Sequence, residues 1–450
     1  MSPRPIIVRG GRLLDPSQGL DRLSDLLLLD GKVAAVLAPG ATAPPEAEAM
    51  DARGLIVAPG FIDLHVHLRE PGYEQKETIA TGTLAAVRGG FTTVLAMANT
   101  NPAADSAAVI AWVRDRAEAG AACRVLPVGS VTVGQQGKEL APLAELAEAG
   151  AVAFSDDGQP ISDPNLLRAA LDHARALQRP ILAHCEDTDL VGEGVMNEGP
   201  VATHLGLPGI PDAAEDSAVA EAIALAAFTA GPLHLCHLST RGSLALLRIA
   251  KEQGLPVTAE VTPHHLLLTD ERVLGPAGAG SLARYDTHAK MRPPLRSEAD
   301  RQALIAALRE GLIDAIATDH APHAAEDKDC EFAAAANGVV GLETAFGVLM
   351  RLVHEGALDL TTLVERLTAG PARVIARSGG MVPSDLASGL GTLQLGAPAD
   401  VVLLDPEAEW TVDPATFASK GRNTPFAGWR LRGRVVTTIV GGETAFTIKR

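Results

Sequence analysis

The sequence predicts an α/β fold: a (β/α)8 barrel of the TIM type, with a small β-sandwich domain formed by the N- and C-terminal segments. Three observations favour this fold class. In the middle of the chain, short apolar runs alternate with helical patterns, which is typical of a parallel barrel. At both ends, strand-like runs alternate with glycine and aspartate turns. Polar residues that can bind metals follow the ends of several predicted barrel strands, where barrels place their chemistry.

The composition limits the classes of protein that need consideration. The chain has 450 residues, of which 47% are hydrophobic, and this is enough for one large domain with a smaller companion. A net charge of −17 and an aromatic content of 3% argue against a nucleic-acid partner. The four cysteines are scattered without C-x-x-C spacing, so we expect a reducing, cytoplasmic location. Neither a signal peptide nor an apolar run long enough to span a membrane is evident.

The two terminal segments have the pattern of short strands separated by turns. The first contains the runs PIIVRGGRLLD, DLLLLDGKVAAVL and MDARGLIVA, and the tail contains GTLQLGAPADVVLLDP and RVVTTIVGGETAF. This shared pattern predicts that the two segments pair with each other. We therefore expect a small β domain from residues 1–56 and 388–450, and a metal-dependent catalytic barrel from residues 57–387.

Eight apolar runs in the middle of the chain predict the barrel strands. They cover residues 60–68, 91–98, 123–131, 151–156, 180–186, 232–239, 256–263 and 314–322. Helical patterns lie between them. The stretch 163–178, for example, opens with Asp163 as an N-cap and Pro164 in the first turn, and its apolar residues recur at helical spacing.

Metal-binding side chains stand at the ends of five of these predicted strands. His65 and His67 occupy alternate positions at the end of the first strand, so their side chains point to the same face. Such a pair alone would be weak support for a metal site. The candidate ligands from the whole chain are His65, His67, Asp156 or Asp157, His184, His237 and Asp319. Their convergence on one rim indicates a metal site, because scattered histidines would not produce it.

Four imidazoles and two carboxylates suit Zn²⁺, with Mn²⁺, Co²⁺ and Fe²⁺ as alternatives. Six ligands are too many for one tetrahedral zinc, but they suit two metals about 3.5–4 Å apart that share a bridging ligand. Such metals lower the pKa of a bound water to about 7, which supplies a nucleophile without Ser, Cys or Lys. The pattern therefore predicts hydrolysis of an amide-like C–N bond, or the reverse reaction.

Several longer motifs carry a family resemblance. They are DLHVHLREPG (63–72), MANTNP (97–102), AFSDDGQP (153–160), AHCED (183–187), MNEGPVATHLGLPGIP (196–211), CHLST (236–240), EVTPHHLLLTDE (260–271), ATDHAPH (317–323), GLETA (341–345) and RNTPFAG (422–428). In this order they resemble the amidohydrolase superfamily and, within it, the dihydroorotases of the longer, class I bacterial type. The motifs span almost the whole chain, and together they are highly specific.

The resemblance implies a role for each matching position. His65 and His67 resemble ligands of a first metal, His184 and His237 resemble ligands of a second, and Asp157 resembles the bridging carboxylate. Asp319 resembles the last ligand and the catalytic proton shuttle, while Arg69, Asn99 and His323 resemble the groups that bind the substrate's carboxylate. The implied reaction is the zinc-dependent, reversible cyclisation of N-carbamoyl-L-aspartate to L-dihydroorotate in pyrimidine (UMP) synthesis.

Other residues near the rim have ordinary structural explanations. We expect His234 to be structural or on the surface, and packing is the better explanation for His264 and His265. Cys236 flanks a candidate ligand, but strand alternation points it away from the rim.

Two alternative functions stay open from the sequence. A hydantoinase or allantoinase usually bridges its metals with a carboxylated lysine, whereas Lys138 is the closest lysine before the fourth strand. An inactive partner of aspartate carbamoyltransferase would lose ligand histidines, and this chain keeps them. Association with that enzyme and a homodimer are compatible with an active chain. Two departures, Arg292 and the stretch 334–340, leave substrate affinity open.

Overall fold

Residues 3–275, 285–376 and 389–448 are described by a computed structural model of the chain. Their strands are β1 (Ile6–Asp15), β2 (Leu20–Leu29), β3 (Lys32–Leu37), β4 (Glu48–Asp51), β5 (Ile56–Pro59), β6 (Phe61–Val66), β7 (Phe91–Ala96), β8 (Arg124–Gly129), β9 (Ala153–Phe154), β10 (Ile181–Ala183), β11 (Met196–Asn197), β12 (Gly209–Ile210), β13 (Leu233–Leu235), β14 (Val257–Val261), β15 (Ala315–Ile316), β16 (Val401–Thr411), β17 (Arg430–Val440) and β18 (Glu443–Thr447).

The α-helices of the same residues are α1 (Ile79–Arg88), α2 (Ala107–Gly120), α3 (Leu143–Ala149), α4 (Pro164–Leu177), α5 (Thr188–Val191), α6 (Pro200–Leu205), α7 (Ala213–Thr229), α8 (Arg241–Glu252), α9 (Pro263–Leu267), α10 (Glu298–Glu310), α11 (Ala325–Lys328), α12 (Ala345–His354), α13 (Leu360–Leu367) and α14 (Ala369–Ala376). Within the described part of the chain, no helix is both long enough and apolar enough to cross a membrane.

The two terminal segments build one β-rich unit. Its strands follow the order β18-β17-β16-β5-β1-β2-β3, with β4 paired to β1. The segments join where β5 runs antiparallel to residues 401–404 of β16. Apolar side chains such as Val8, Leu26, Val57 and Val401 form a separate core for this unit. The β-rich companion of the barrel is thus confirmed. The domain boundaries stay predictions, and the one at 387/388 lies outside the described residues.

The central strands form a parallel barrel in the order β6-β7-β8-β9-β10-β13-β14-β15. A parallel bridge between Val66 and His320 closes it, and the backbone N–H of His67 donates to His320 O at 2.9 Å. The predicted fold class is therefore confirmed. The runs 151–156 and 314–322 contain strands of only two residues each, β9 and β15. The sequence predicts longer strands in these runs because their buried residues continue past the hydrogen-bonded part of each strand into the rim.

Helix α4 illustrates how local sequence positions the outer layer. Its N-cap Asp163 accepts a hydrogen bond from the backbone N–H of Asn165 at 2.9 Å, and Pro164 occupies the first turn. Leu167 and Leu171 are buried on its inner face. The prediction for 163–178 is confirmed to within one residue at each end.

Candidate metal centre

The carboxyl ends of five barrel strands bring six predicted ligands into one buried cluster, which we call the metal centre. It consists of His65 and His67 from β6, Asp157 after β9, His184 after β10, His237 after β13 and Asp319 after β15. None of the six exposes more than 8% of its surface. The strand order therefore brings together the four histidines, Asp319 and one of the two candidate aspartates, Asp157.

Asp157 lies between two pairs of histidines. Its Oδ2 is 3.2 Å from His65 Nε2 and 3.4 Å from His67 Nε2. Its Oδ1 is 3.2 Å from His237 Nε2 and 3.4 Å from His184 Nδ1. One carboxylate thus offers one oxygen to each pair, which is the arrangement that a bridge between two metals requires.

Asp319 completes the first of these groups. Its Oδ1 lies 3.0 Å from His67 Nε2 and 3.5 Å from His65 Nε2. On the other side of Asp157, His184 Nδ1 lies 3.0 Å from His237 Nε2. Donor atoms around a tetrahedral zinc are about 3.3 Å apart when each bond is 2.0–2.1 Å long. The spacing of these nitrogens and oxygens is therefore suited to divalent metal ions.

The chemistry of the donor set also fits a metal. His65 Nε2 is buried and makes no hydrogen bond, although two carboxylate oxygens lie near it. A buried polar atom without a hydrogen bond is costly unless another ligand binds it. Imidazole nitrogens and carboxylate oxygens are the usual protein ligands of zinc. The metal centre thus has the composition and spacing of a metal site.

Electrostatics keeps both carboxylates of the metal centre ionised. Burial opposes ionisation of Asp157, but the imidazoles around it outweigh burial and hold the pKa of this carboxyl well below its usual range. At Asp319, burial is likewise outweighed by His65 and His67, so its pKa is lowered. Ionised carboxylates attract a cation and can also accept a proton.

Three residues at this rim have left-handed backbone conformations that side chains disfavour. The φ angles are 62° at Arg69, 37° at His237 and 47° at Asp319. Such conformations cost about 1–3 kcal/mol each and cluster at functional sites, where the surrounding structure enforces them. This strain supports a functional role for the turns that follow β6, β13 and β15.

Arg69 and Asn99 lie on two loops that are docked against each other. The backbone N–H of Asn101 donates to Pro71 O at 2.9 Å. Gly72 has a φ of 96°, and a Cβ there would lie 2.1 Å from Asn101 O. Only glycine therefore permits this close approach. The two loops form one support for the predicted substrate-binding side chains.

Each predicted substrate-binding residue also has a protein contact. Asn99 Oδ1 is 2.8 Å from His67 Nδ1, so the amide oxygen orients this ligand and the NH₂ group stays available. Arg69 Nε donates to Pro322 O at 3.3 Å. His323 Nε2 donates to Asn337 O at 2.7 Å, within the unusual stretch 334–340. Burial, aided by the charge of Arg69, lowers the pKa of His323 to about 3, so its ring is neutral.

The adjacent acid Asp156 points away from the metal centre. Its Oδ1 accepts hydrogen bonds from the backbone N–H groups of Val131 and Thr132 at 2.8 and 3.1 Å. Burial raises the pKa of this carboxyl to about 6. Asp156 therefore supports the loop after β8, and Asp157 is the acid that faces the histidines.

Two acids around the metal centre escaped sequence reasoning. Glu186 Oε2 lies 3.3 Å from His184 Nε2 and accepts a hydrogen bond from Arg292 Nε, which connects the unusual arginine to a ligand. Glu260 Oε1 lies 2.8 Å from His65 Nδ1. Glu260 stands within an apolar predicted strand, and a buried charge there requires a partner. That charge was a usable signal for Glu260, whereas Glu186 gave none.

A closed parallel barrel with this cluster at the carboxyl ends of its strands is the architecture of a metal-dependent amidohydrolase. Solved structures agree with this class. An L-hydantoinase (dihydropyrimidinase) from Arthrobacter aurescens has a TM-score of 0.84 and 26% identity, covering 99% of this chain and 96% of that chain. A D-hydantoinase has a TM-score of 0.81 and 27% identity, covering 98% and 94%.

Sequence relatives narrow the class. A family model described as dihydro-orotase-like matches residues 54–243. A dihydroorotase of Anaeromyxobacter dehalogenans (strain 2CP-1) is 55% identical over 438 residues, which cover 97% of each protein. A dihydroorotase of Citrifermentans bemidjiense is 48% identical and covers 98% of this chain and 99% of that protein. The chain belongs to the dihydroorotase family, and it is a cyclic amide hydrolase that uses metal.

Proposed function

We propose that the chain catalyses the reversible cyclisation of N-carbamoyl-L-aspartate to L-dihydroorotate, with two zinc ions per chain. The observation that carries the metal count is the position of Asp157, which faces a histidine pair on each side. The similarity to dihydroorotases over nearly the whole chain supports the choice of substrate.

Each zinc would have its own group of ligands. His65, His67 and Asp319 would hold one, His184 and His237 would hold the other, and Asp157 would serve both. Bound zinc supplies a Lewis acid for the amide carbonyl and lowers the pKa of a water to about 7. The remaining steps belong to side chains of the chain itself.

Asp319 would move the proton. In the hydrolytic direction its carboxylate accepts the proton of the attacking water and then gives it to the ring nitrogen that leaves. In the cyclisation direction the same group takes the proton from the carbamoyl nitrogen as the ring closes. The lowered pKa of Asp319 keeps it in the basic form that the first of these steps needs.

Arg69, Asn99 and His323 would hold the carboxylate of the substrate. Because the neutral ring of His323 has a single N–H, His323 would do so by turning its Nε2–H from Asn337 O to the substrate. Arginine presents a planar fork that matches a carboxylate, which a lysine does not. Because the loops of Arg69 and Asn99 are docked together, the two groups are held relative to each other beside the metal centre. A substrate whose carboxylate is held there would have its scissile amide positioned next to the zinc ions.

A side-by-side assay tests this function against its rivals. Purified protein of known zinc content is assayed with dihydroorotate, hydantoin and allantoin. We expect turnover of dihydroorotate, and loss of turnover when a chelator removes the metal. Zinc-loaded protein that hydrolyses hydantoin or allantoin instead would favour the hydantoinase-type alternative. Protein inactive on all three would favour an inactive partner of aspartate carbamoyltransferase.

The equilibrium position should depend on pH. Opening the ring creates a new carboxylic acid, which releases a proton near neutral pH. We therefore expect the ratio of N-carbamoyl-L-aspartate to L-dihydroorotate at equilibrium to rise about tenfold per pH unit above pH 5. Chromatography of mixtures equilibrated from both directions measures this ratio. A ratio that does not change with pH would contradict the reaction assignment.

Location and assembly also belong to this proposal. We propose a cytoplasmic location, a homodimer, and association with aspartate carbamoyltransferase. Sedimentation of the chain alone and of its mixture with the carbamoyltransferase distinguishes the two assemblies. A monomer that does not co-sediment would contradict both.

A further inference from the structure

We propose that Glu260 and His234 are positioning residues that prepare His65 to bind metal, through a buried chain of hydrogen bonds behind the metal centre. The inference rests on the proposed function, in which His65 is a ligand. Glu260 lies in β14, a strand whose end contributes none of the six predicted ligands. Its contribution to the metal centre would therefore pass through His65.

The chain of hydrogen bonds is continuous. Glu260 Oε1 is 2.8 Å from His65 Nδ1, and Glu260 Oε2 is 3.1 Å from His234 Nε2. On the far side, His234 Nδ1 is 2.8 Å from Thr258 Oγ1. The side chains of His65, Glu260 and His234 are all fully buried. Water therefore cannot replace any of these contacts.

The direction of the two hydrogen bonds to Glu260 follows from the chemistry of the partners. A carboxylate only accepts, so His65 Nδ1–H and His234 Nε2–H both donate to Glu260. At its other nitrogen, His234 Nδ1 meets the hydroxyl of Thr258, which can donate or accept. At His65, the proton on Nδ1 leaves the lone pair on Nε2, which is the buried nitrogen that makes no hydrogen bond and faces Asp157 and Asp319. Glu260 thus fixes the tautomer in which His65 can bind metal.

Two other histidine ligands, His67 and His184, have weaker hydrogen-bond partners behind them. His67 Nδ1 contacts the neutral amide of Asn99 at 2.8 Å. His184 Nε2 lies 3.3 Å from Glu186, whose same oxygen also accepts from Arg292. Of these three histidines, His65 is the one whose outward nitrogen meets a carboxylate that accepts no described hydrogen bond from an arginine. A negative charge behind an imidazole makes it a stronger metal ligand, and losing such a partner typically costs about 10–100-fold in metal affinity.

Zinc affinity of the folded protein tests this role directly, without an activity assay. Competition with a chromophoric chelator gives the dissociation constant of each zinc in the wild type and in three variants. We expect Glu260→Leu to weaken one zinc site by about 100-fold, and Glu260→Gln, which keeps an acceptor but loses the charge, by about 10-fold. His234→Asn should have a smaller effect in the same direction. The visible spectrum of the cobalt-substituted protein should change in the same order.

Glu343→Gln provides the matched control. Glu343 is also largely buried, and it accepts from the backbone N–H groups of Ala418 and Ser419 at 2.8 and 3.2 Å, away from the metal centre. It should leave zinc affinity unchanged. Equal weakening in Glu343→Gln would point to general loosening and overturn the proposal. If Glu260→Leu does not fold, as judged by circular dichroism, Glu260→Gln and His234→Asn decide the question.

His65→Asn separates this inference from the function on which it rests. If His65→Asn keeps full zinc affinity, His65 is not a ligand and the proposed metal assignment fails. If His65→Asn loses zinc while the folded Glu260 variants bind it as tightly as the wild type, only the positioning role is overturned.

Discussion

Two buried clusters of histidine and carboxylate lie next to each other in this barrel, and they differ in how their polar atoms are satisfied. The metal centre is one. The other, which we call the support cluster, consists of Glu77, His320 and Ser419. His320 Nε2 lies 3.4 Å from Glu77 Oε2, which also accepts from Ser419 Oγ. Glu77 Oε1 accepts from two backbone N–H groups, and His320 Nδ1 accepts from Gly341 N–H at 3.2 Å.

The difference shows what separates a structural cluster from a reactive one. In the support cluster, backbone and hydroxyl donors satisfy the carboxylate and the imidazole, so little capacity is left for a ligand. In the metal centre, the carboxylates face imidazoles, and His65 Nε2 makes no hydrogen bond. Residue types alone do not distinguish the two clusters. The comparison predicts that changes in the metal centre affect turnover and that changes in the support cluster affect stability.

The largest expected effect is at Asp319. Asp319→Ala should lower kcat for dihydroorotate by about 10³-fold, because it removes the proposed general base. Part of the metal should stay bound, since Asp157 and the four histidines remain. Steady-state kinetics together with metal analysis measures both quantities.

Asp314→Ala is the control for this change. Asp314 precedes the same strand, β15, and pairs with Lys251 at 2.6 Å, at the amino end of the strand rather than the carboxyl end. It should leave kcat nearly unchanged. An Asp319→Ala protein with normal turnover would remove the proton shuttle from the mechanism.

Arg69→Met distinguishes substrate binding from metal binding among the residues of the rim. It should raise KM for dihydroorotate by about 100-fold, because a charge-assisted pair contributes about 2–3 kcal/mol, and zinc content should not change. Arg69→Lys keeps the charge without the fork and should recover only part of this loss. Loss of zinc in Arg69→Met would mean that Arg69 supports the metal centre rather than the substrate.

Glu77→Leu makes the reverse test in the support cluster. It leaves the partners of Glu77 without an acceptor, so the free energy of unfolding should fall by about 2 kcal/mol. Zinc content per folded molecule and kcat/KM should stay close to those of the wild type. Urea unfolding monitored by circular dichroism gives the first quantity. A large loss of zinc would show that the two clusters are not separate.

The smallest effect is a pH dependence of stability. Burial opposes ionisation of Glu77, but the interactions with His320 and the hydrogen bonds from Ser419 and Thr81 together outweigh burial, so the folded-state pKa is below the ordinary value. Its contribution to stability is therefore present above the unfolded-state pKa of about 4.3 and is lost as the pH falls through the folded-state pKa. The stability difference between the metal-free wild type and metal-free Glu77→Gln should shrink over that range. A difference that grows on acidification would contradict the sign.

The features that depend on local sequence pattern could be predicted from the sequence. Alternation in the first barrel strand placed His65 and His67 on one face, and Asp163 with Pro164 predicted the start of α4. Partners that are distant along the chain could not be predicted. Glu260 and His65 are 195 residues apart, and nothing local in either motif specifies that they meet. His234, expected to be structural or exposed, is fully buried and contacts Glu260.

The contact partners of the residues around the rim could not be predicted from the sequence either. His265 Nε2 contacts Pro293 O at 3.1 Å, so the packing explanation holds for this residue. Cys236 was expected to point away from the rim. It lies with His65 and Glu260 in a group whose donor atoms are within 4.8 Å of one another. Strand alternation could not indicate which residues it would meet.

The seam that closes the barrel has a consequence for the synthesis of the protein. His67 and Asp319, whose side chains meet at 3.0 Å, are 252 residues apart and flank the junction of the first and last barrel strands. A nascent chain that ends before residue 319 contains five of the six ligands, but its barrel cannot close because the last strand end and its contact with the first strand are missing. Contacts of such long range form late and slowly. Metal insertion, and with it activity, would therefore follow translation of most of the chain.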